Sequence, residues 1–284
     1  MTSLTELANK YGTDKGTISQ ASHSYTVIYD MLFNAYRNQN INILEIGLST
    51  GGPELGNSPD RVVTDAPSIR MWHEFFPNGK IYGIDISDFS RFQNEWFSFM
   101  RADCGDAQQL DQISRCGVAF DIIVDDGSHA SFHQQLTLQK LFGILKNGGF
   151  YIIEDLHWQP LHYERSLPST PDTTKQLRTF IKEGDFISST LLPVDTWSEV
   201  AKKIRNVILL DDDELYGMQR IYNRGFEIQP ENPHYFDKPL FLRLLSRGYV
   251  RRLFESSAEF SRASTGRFGP LRRSRTKLAI IHKK

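Results

Sequence analysis

The stretch FDIIVDDGSHASFH, residues 120–133, is an apolar run that ends in Asp125 and Asp126, with His129 close behind. GGFYIIEDLHW, residues 148–158, repeats the arrangement with Glu154, Asp155 and His157. INILEIG (41–47) and KIYGIDI (80–86) are further short apolar runs rich in β-branched residues. Runs of this kind read as strands buried on both faces, which marks a parallel sheet. Between them, APSIRMWHEFF (66–76) carries Pro67 in a first turn, and SFHQQLTLQKLFGILKNGG (131–149) closes on glycines, so both read as helices. Strand and helix alternating this often predict an α/β fold with a Rossmann-like, doubly wound, mostly parallel sheet.

The pattern changes on either side. VILLDDDELYGMQRIYN (207–223) reads as two strands around an acidic turn, an antiparallel hairpin at one sheet edge. HWQPLHYERSLPSTPD (157–172) is rich in Pro, Ser and His and reads as a surface loop. The expected division is an N-terminal helical segment over the site (1–40), one sheet domain (41–250) and a basic tail (251–284). At 284 residues the chain is near the upper limit for a single hydrophobic core. The net charge of -1 hides an asymmetry, because residues 251–284 hold ten Lys and Arg against two Glu. Such a block reads as a solvated end, with an anionic surface or a neighbouring subunit of a homo-oligomer as the other contacts open to it.

Composition excludes several classes. No run approaches the roughly 18 apolar residues of a membrane span, and MTSLTELANKYG has no signal-peptide core. Two cysteines, Cys104 and Cys116, make neither a disulfide framework nor a metal quartet, so reduced thiols in a cytoplasmic protein are expected. Outside the tail nothing suggests a nucleic-acid partner.

In open α/β sheets, ligands sit outside the carboxyl ends of the strands. The first strand supplies Glu45 and Gly47, followed by Gly51 and Gly52, which is not the GxGxxG of a pyrophosphate site. Asp85 ends the second strand, where a carboxylate accepts hydrogen bonds from two ribose hydroxyls. Gly47 and Asp85 are 38 residues apart, so the loop between them carries an insertion. A nucleoside without phosphates, such as S-adenosylmethionine, fits better than NAD. Asp103 would lie at the adenine edge or cap the next turn, and Glu45 and Asp125 complete the candidate cofactor set. YGTDK (11–15) has the Tyr-x-x-x-Lys spacing of short-chain dehydrogenases, but it precedes the first strand of the sheet and is read as coincidence.

The segments LANKYGTDKG, HSYTVIYDMLF, ILEIGLSTGG, SIRMWHEFFPNGKIYGIDI, DIIVDDGSH and GGFYIIEDL, in this order, resemble the macrocin and mycinamicin type of sugar O-methyltransferase. These are class I S-adenosylmethionine-dependent enzymes of antibiotic biosynthesis. The resemblance spans roughly residues 5–158, and VDDGSH with IEDL is its most specific part. It implies S-adenosylmethionine and Mg²⁺ as cofactors, Asp126, Glu154 and Asp155 as Mg²⁺ ligands, His129 as catalytic base, and a glycoside or sugar as small-molecule substrate. His23, Ser24 and Tyr25 match the N-terminal motif and either line the pocket or pack. HWQP after EDL departs from the family's pattern, which puts the acceptor in doubt more than the chemistry.

Physical chemistry supports this reading. Strand ends of a parallel sheet meet at one crevice, where three unpartnered carboxylates would raise one another's pKa. Mg²⁺ removes that cost, since it takes a few carboxylates plus waters or substrate oxygens. Acids that cap a helix or sit exposed at strand ends are the structural alternative. A sugar hydroxyl must lose its proton to attack, and an unperturbed imidazole is the right type of base at pH 7. Two neighbouring hydroxyls chelating the ion would make the acceptor a vicinal diol, and a catechol meets the same geometry. Other readings are a non-haem iron oxygenase built on His129, an acid and His157, and a non-catalytic nucleotide-binding module. His157, Trp158, His162 and Tyr163 could face the acceptor.

Overall fold

The computed structural model describes residues 2–18, 22–187, 194–211, 213–215, 217–218 and 276–284. Two helices come first, α1 (Leu4–Tyr11) and α2 (Tyr25–Phe33). The central alternation is β1 (Asn42–Ile46), α3 (Pro67–Phe75), β2 (Lys80–Asp85), β3 (Phe97–Arg101), α4 (Ala107–Ser114), β4 (Phe120–Asp125), α5 (Ser131–Leu141) and β5 (Leu145–Ile153). After it come α6 (Leu161–Glu164), α7 (Thr173–Glu183), α8 (Val194–Lys203), β6 (Ile204–Asp211) and β7 (Thr276–Lys283). The seven strands form one sheet in the order β3-β2-β1-β4-β5-β7-β6. The first five are parallel, and β7 runs antiparallel to both β5 and β6.

The strand pleat sends alternate residues to opposite faces, and each face has its own helical layer. Ile43, Ile81 and Val124 pack with α1, α2 and α3 through Leu7, Tyr29, Phe33, Trp72 and Phe75. Leu44, Ile46, Ile84 and Ile123 pack against α4, α5, α7 and α8 through Leu110, Leu138, Leu177 and Trp197. Burying a side chain of the size of Trp72, which has no exposed surface, contributes about 4–6 kcal/mol at about 25 cal/mol per Å². Helix α1 starts on a Ser3–Glu6 capping box and stops at Gly12 in the left-handed region (φ 74°). That stop turns the chain toward the strand ends, where residues 12–15 lie.

Two expectations need correction. The antiparallel pair at the sheet edge is β6 with β7, not a hairpin within 207–223. Residues 213–215 and 217–218 of the expected second arm are helical, and the remainder of that arm lies outside the described residues. An acidic run suits the first turn of a helix as well as it suits a turn. The solvated tail is also revised at its end, because TKLAIIHK forms β7, with Leu278, Ala279, Ile280 and Ile281 buried. The lysines flanking this apolar core obscured a strand of ordinary β-branched character. Lys283 turns its ammonium to the carbonyls of Phe142 (3.1 Å) and Gly143 (3.3 Å). Residues 251–275 lie outside the described residues. Among the described residues no helix is long and apolar enough to cross a membrane.

Candidate active site

A cavity of about 400 Å³ opens at the carboxyl ends of β1, β2 and β4, large enough for a small organic ligand. Its floor depends on Gly47. The residue has φ 80°, and a Cβ there would come within 2.1 Å of the Asp126 carbonyl oxygen. The turns after β1 and β4 therefore touch backbone to backbone, which only glycine permits. Asp85 is buried beside this turn and accepts from the Leu48 N–H at 2.9 Å and the Ser87 N–H at 2.7 Å. Burial raises its pKa, and these two bonds partly offset the rise. Each oxygen keeps a second lone pair for a ligand hydroxyl. Arg61, from the insertion after β1, donates to the Ser49 carbonyl (2.7 Å), the Thr50 carbonyl (3.0 Å) and Ser87 Oγ (3.2 Å). It ties the inserted loop to the turn after β2.

Asp103 lines the cavity at its other end and accepts from the Gly105 N–H at 2.7 Å. Ser128 Oγ lies 2.7 Å from His133 Nδ1, and the Tyr163 ring meets the His133 ring edge-on at 5.6 Å. Burial pushes the Tyr163 phenol up to about 12. His162 is exposed and does not line the cavity, whereas Trp158 does and meets the His129 ring edge-on at 5.2 Å.

Asp125 does not belong to this cavity. Its carboxylate bonds Thr137 of α5 and the Tyr151 hydroxyl (3.0 Å), and burial raises its pKa to about 6. Consecutive residues at a strand end point to opposite sides, so when Asp126 faces the cavity its neighbour cannot.

Asp126, Glu154 and Asp155 do converge, but with the lysine of YGTDK among them, a stretch that reads as coincidence in the sequence alone. Lys15, 2 % exposed, places its ammonium 2.8 Å from Glu154 Oε2 and 3.5 Å from Glu45 Oε1, and in contact with Asp126 Oδ2. The other Glu154 oxygen accepts from the Tyr29 hydroxyl at 2.5 Å. Glu45 is fully buried, bonded to Ser68 Oγ at 2.7 Å. Burial and the charge of Asp126 push Glu154 well up, while burial lowers and the surrounding acids more strongly raise the Lys15 pKa.

Asp155 stands on the far side of the cluster. Its Oδ1 accepts from the Tyr25 hydroxyl at 2.6 Å and lies 3.7 Å from both His23 Nδ1 and His157 Nδ1. Its Oδ2 is 4.0 Å from His129 Nε2. Burial works to raise its pKa, yet His129, His23, the Tyr25 bond and His157 together hold it below the usual value. Two sets of ligand atoms lie mutually within 4.8 Å among the described residues: Asp126, His129 and Asp155, and His23, Asp155 and His157. Glu154, expected as a third ligand, is in neither set, and its two oxygens face Lys15 and Tyr29.

Backbone strain concentrates here. Among the described residues, the non-glycine residues with positive φ are Ser24 (61°), His129 (59°) and Asp155 (54°). Such conformations cost energy for residues with a Cβ and collect at functional sites.

No protein-family model matches the chain. It is 40 % identical over 156 residues to the mycinamicin VI 2''-O-methyltransferase of Micromonospora griseorubida, a match covering 54 % of this chain and 36 % of that protein. It is 38 % identical over 157 residues to the demethylmacrocin O-methyltransferase of Streptomyces fradiae, with the same coverage. A tetracenomycin-C rhamnosyl 3'-O-methyltransferase of Streptomyces olivaceus matches at 34 % over 153 residues, 54 % of this chain and 36 % of that protein. Among solved structures, the MycE methyltransferase of the mycinamycin pathway in complex with Mg and SAH superposes with a TM-score of 0.56 at 29 % identity, covering 73 % of this chain and 52 % of that one. Its complex with Mg, SAH and mycinamycin VI gives 0.54 at 32 % identity, covering 73 % and 52 %. The chain thus spans about a third of the length of the curated relatives it matches. Over the matched half, it is similar to sugar O-methyltransferases of macrolide and tetracenomycin glycosides, and its fold is that of an S-adenosylmethionine-dependent methyltransferase.

Proposed function

We propose that the chain is an S-adenosylmethionine- and Mg²⁺-dependent O-methyltransferase acting on a hydroxyl of a sugar, as a vicinal diol within a glycoside. One observation carries the reading: a single cavity holds Asp85 at one side and Asp126, His129 and Asp155 at another. The first suits a ribose, and the second suits a hydroxyl that must lose its proton.

Asp85 would accept from the ribose hydroxyls, and the bare Gly47 turn lets the ligand approach the backbone. Asp103, His133 and Tyr163 would form the adenine end. The cofactor supplies an electrophilic methyl group, and the chain need only hold the acceptor oxygen in line with it.

A divalent ion fits the donor set. Three carboxylates, Glu45, Asp126 and Glu154, share the one ammonium of Lys15, so the cluster holds more negative charge than cation. Asp126 and Asp155 would be the carboxylate ligands. When bound, such an ion supplies Lewis acidity and a second counter-charge for the acids. His129 would take the hydroxyl proton at Nε2, and the imidazolium formed would face the ionised Asp155 Oδ2. Trp158 shields that imidazole from water on one side.

A second reading has an observation of its own. His23, Asp155 and His157 make a two-histidine, one-carboxylate group, the donor set of non-haem iron oxygenases. It brings in His23 rather than the His129 anticipated for such a site. Against it, Lys277 Nζ lies 3.3 Å from His23 Nδ1, an ammonium at the nitrogen a metal would use. Calorimetry separates the readings. The methyltransferase reading predicts binding of S-adenosylhomocysteine and none of 2-oxoglutarate or NAD, and the reverse pattern would replace it.

A further inference from the structure

Lys15 is held on a braced loop. Its carbonyl accepts from the Thr26 N–H and the Thr26 hydroxyl, each at 3.0 Å. On either side, the Asp14 carbonyl accepts from the His23 N–H (2.8 Å) and the Gly16 carbonyl from the Ser24 N–H (2.9 Å). The loop itself is clamped to α1, where Asn9 Oδ1 accepts from the Thr17 N–H at 2.8 Å. From this support one buried ammonium reaches carboxylates on the ends of three different strands, β1, β4 and β5.

We propose that Lys15 is a built-in cation that shares Asp126 with the divalent ion and sets how tightly that ion binds. The inference rests on the ion reading given above. A dication brought to Asp126 meets a positive charge already in contact with the same carboxylate, and like charges a few ångströms apart in a buried site repel strongly. The ammonium also offsets part of the charge of Glu154 and Glu45, which helps the acid cluster exist in a folded chain before any ion arrives. Many small metal-binding domains without such a partner depend on the metal to fold. Lys15 is therefore a positioning residue: it holds Glu154 and Glu45 apart from the ion and leaves Asp126 and Asp155 to bind it.

Mn²⁺ titration followed by the resonance of the free ion tests this on the wild-type chain, Lys15→Met and Lys15→Arg, without cofactor or acceptor. Removing the charge should tighten Mn²⁺ binding by about tenfold or more, while Lys15→Arg, which keeps it, should stay within about threefold of wild type. Mn²⁺ should also raise the melting temperature of Lys15→Met more than that of the wild type. If Lys15→Met does not fold, Glu45→Gln added to it removes one of the unpaired charges, and the double variant is compared with Glu45→Gln alone. Wild-type binding with no tightening in the uncharged variant overturns the inference and leaves the ion reading standing. Absence of Mn²⁺ binding in every folded form overturns the ion reading itself.

Discussion

The Tyr25 hydroxyl donates to Asp155 Oδ1 at 2.6 Å, while the Asp155 N–H reaches back to the same hydroxyl oxygen at 3.3 Å. This pair pins both the side chain and the backbone of a residue in the left-handed region. Tyr25→Phe removes the bond to a charged group and should cost about 1.5–3 kcal/mol of stability, measured by urea unfolding. Tyr25 does not line the cavity, so S-adenosylhomocysteine affinity should be unchanged while methyl transfer falls. Full activity in the variant would show that Asp155 needs no such support.

Asp85 and Asp125 end the two strands that flank β1, β2 and β4, but should behave oppositely. Asp85→Ala should weaken S-adenosylhomocysteine binding by about 1–3 kcal/mol, through lost hydrogen bonds to the ligand and a loosened Leu48 turn. Asp125→Asn should leave that affinity alone and lower stability, because its partners are Thr137 and Tyr151 beneath α5. Calorimetry and urea unfolding on both variants check the pair. Exchanged phenotypes would mean that the cofactor lies on the other side of the β4 end.

His129→Ala should lower turnover by about 10²–10⁴-fold, the usual contribution of a positioned base, with little change in cofactor affinity. A variant that keeps its turnover and loses S-adenosylhomocysteine binding would make His129 a cofactor contact.

His282 gives a pH test far from the site. It stacks on Phe150 at 4.9 Å, and burial, helped by Arg205, holds its pKa below the ordinary 6.5. The unfolded chain therefore takes up this proton first as pH falls. The stability involved is complete above about pH 6.5 and is lost as pH drops toward the lower native value. His282→Phe keeps the stacking and removes the titration, so in urea unfolding it should gain on the wild type between about pH 7.5 and about pH 5.5. A constant difference across that range would contradict the assignment.

The strands and their acid-tipped ends are legible in the sequence because period and β-branching mark a buried parallel sheet. Asp126, Asp155 and His129 follow from that placement. The opposite facing of Asp125 and Asp126 was implicit in the pleat as well, and reading both as site residues ignored it. Lys15 reads with the rest of YGTDK as coincidence, because a single lysine in a Thr- and Gly-containing loop looks solvated until the tertiary fold carries it over three strand ends. Strand β7 was hidden by its flanking charges, since its partners β5 and β6 are far away in sequence. Arg61 and His133 depend in the same way on an insertion and a helix turn whose placement only the folded chain reveals.

We propose methyl transfer from S-adenosylmethionine to a sugar hydroxyl with the help of a divalent ion held by Asp126 and Asp155. Its most direct test is a screen of sugar glycosides and catechols with S-adenosylmethionine, read by mass gain, in Mg²⁺ and again in EDTA. The account predicts the gain of one methyl group on a glycoside carrying neighbouring hydroxyls, abolished by EDTA, restored by Mg²⁺, and lost in Asp126→Asn and Asp155→Asn. Transfer that persists in EDTA, or that goes to an amine or carboxylate and to no diol, would contradict it.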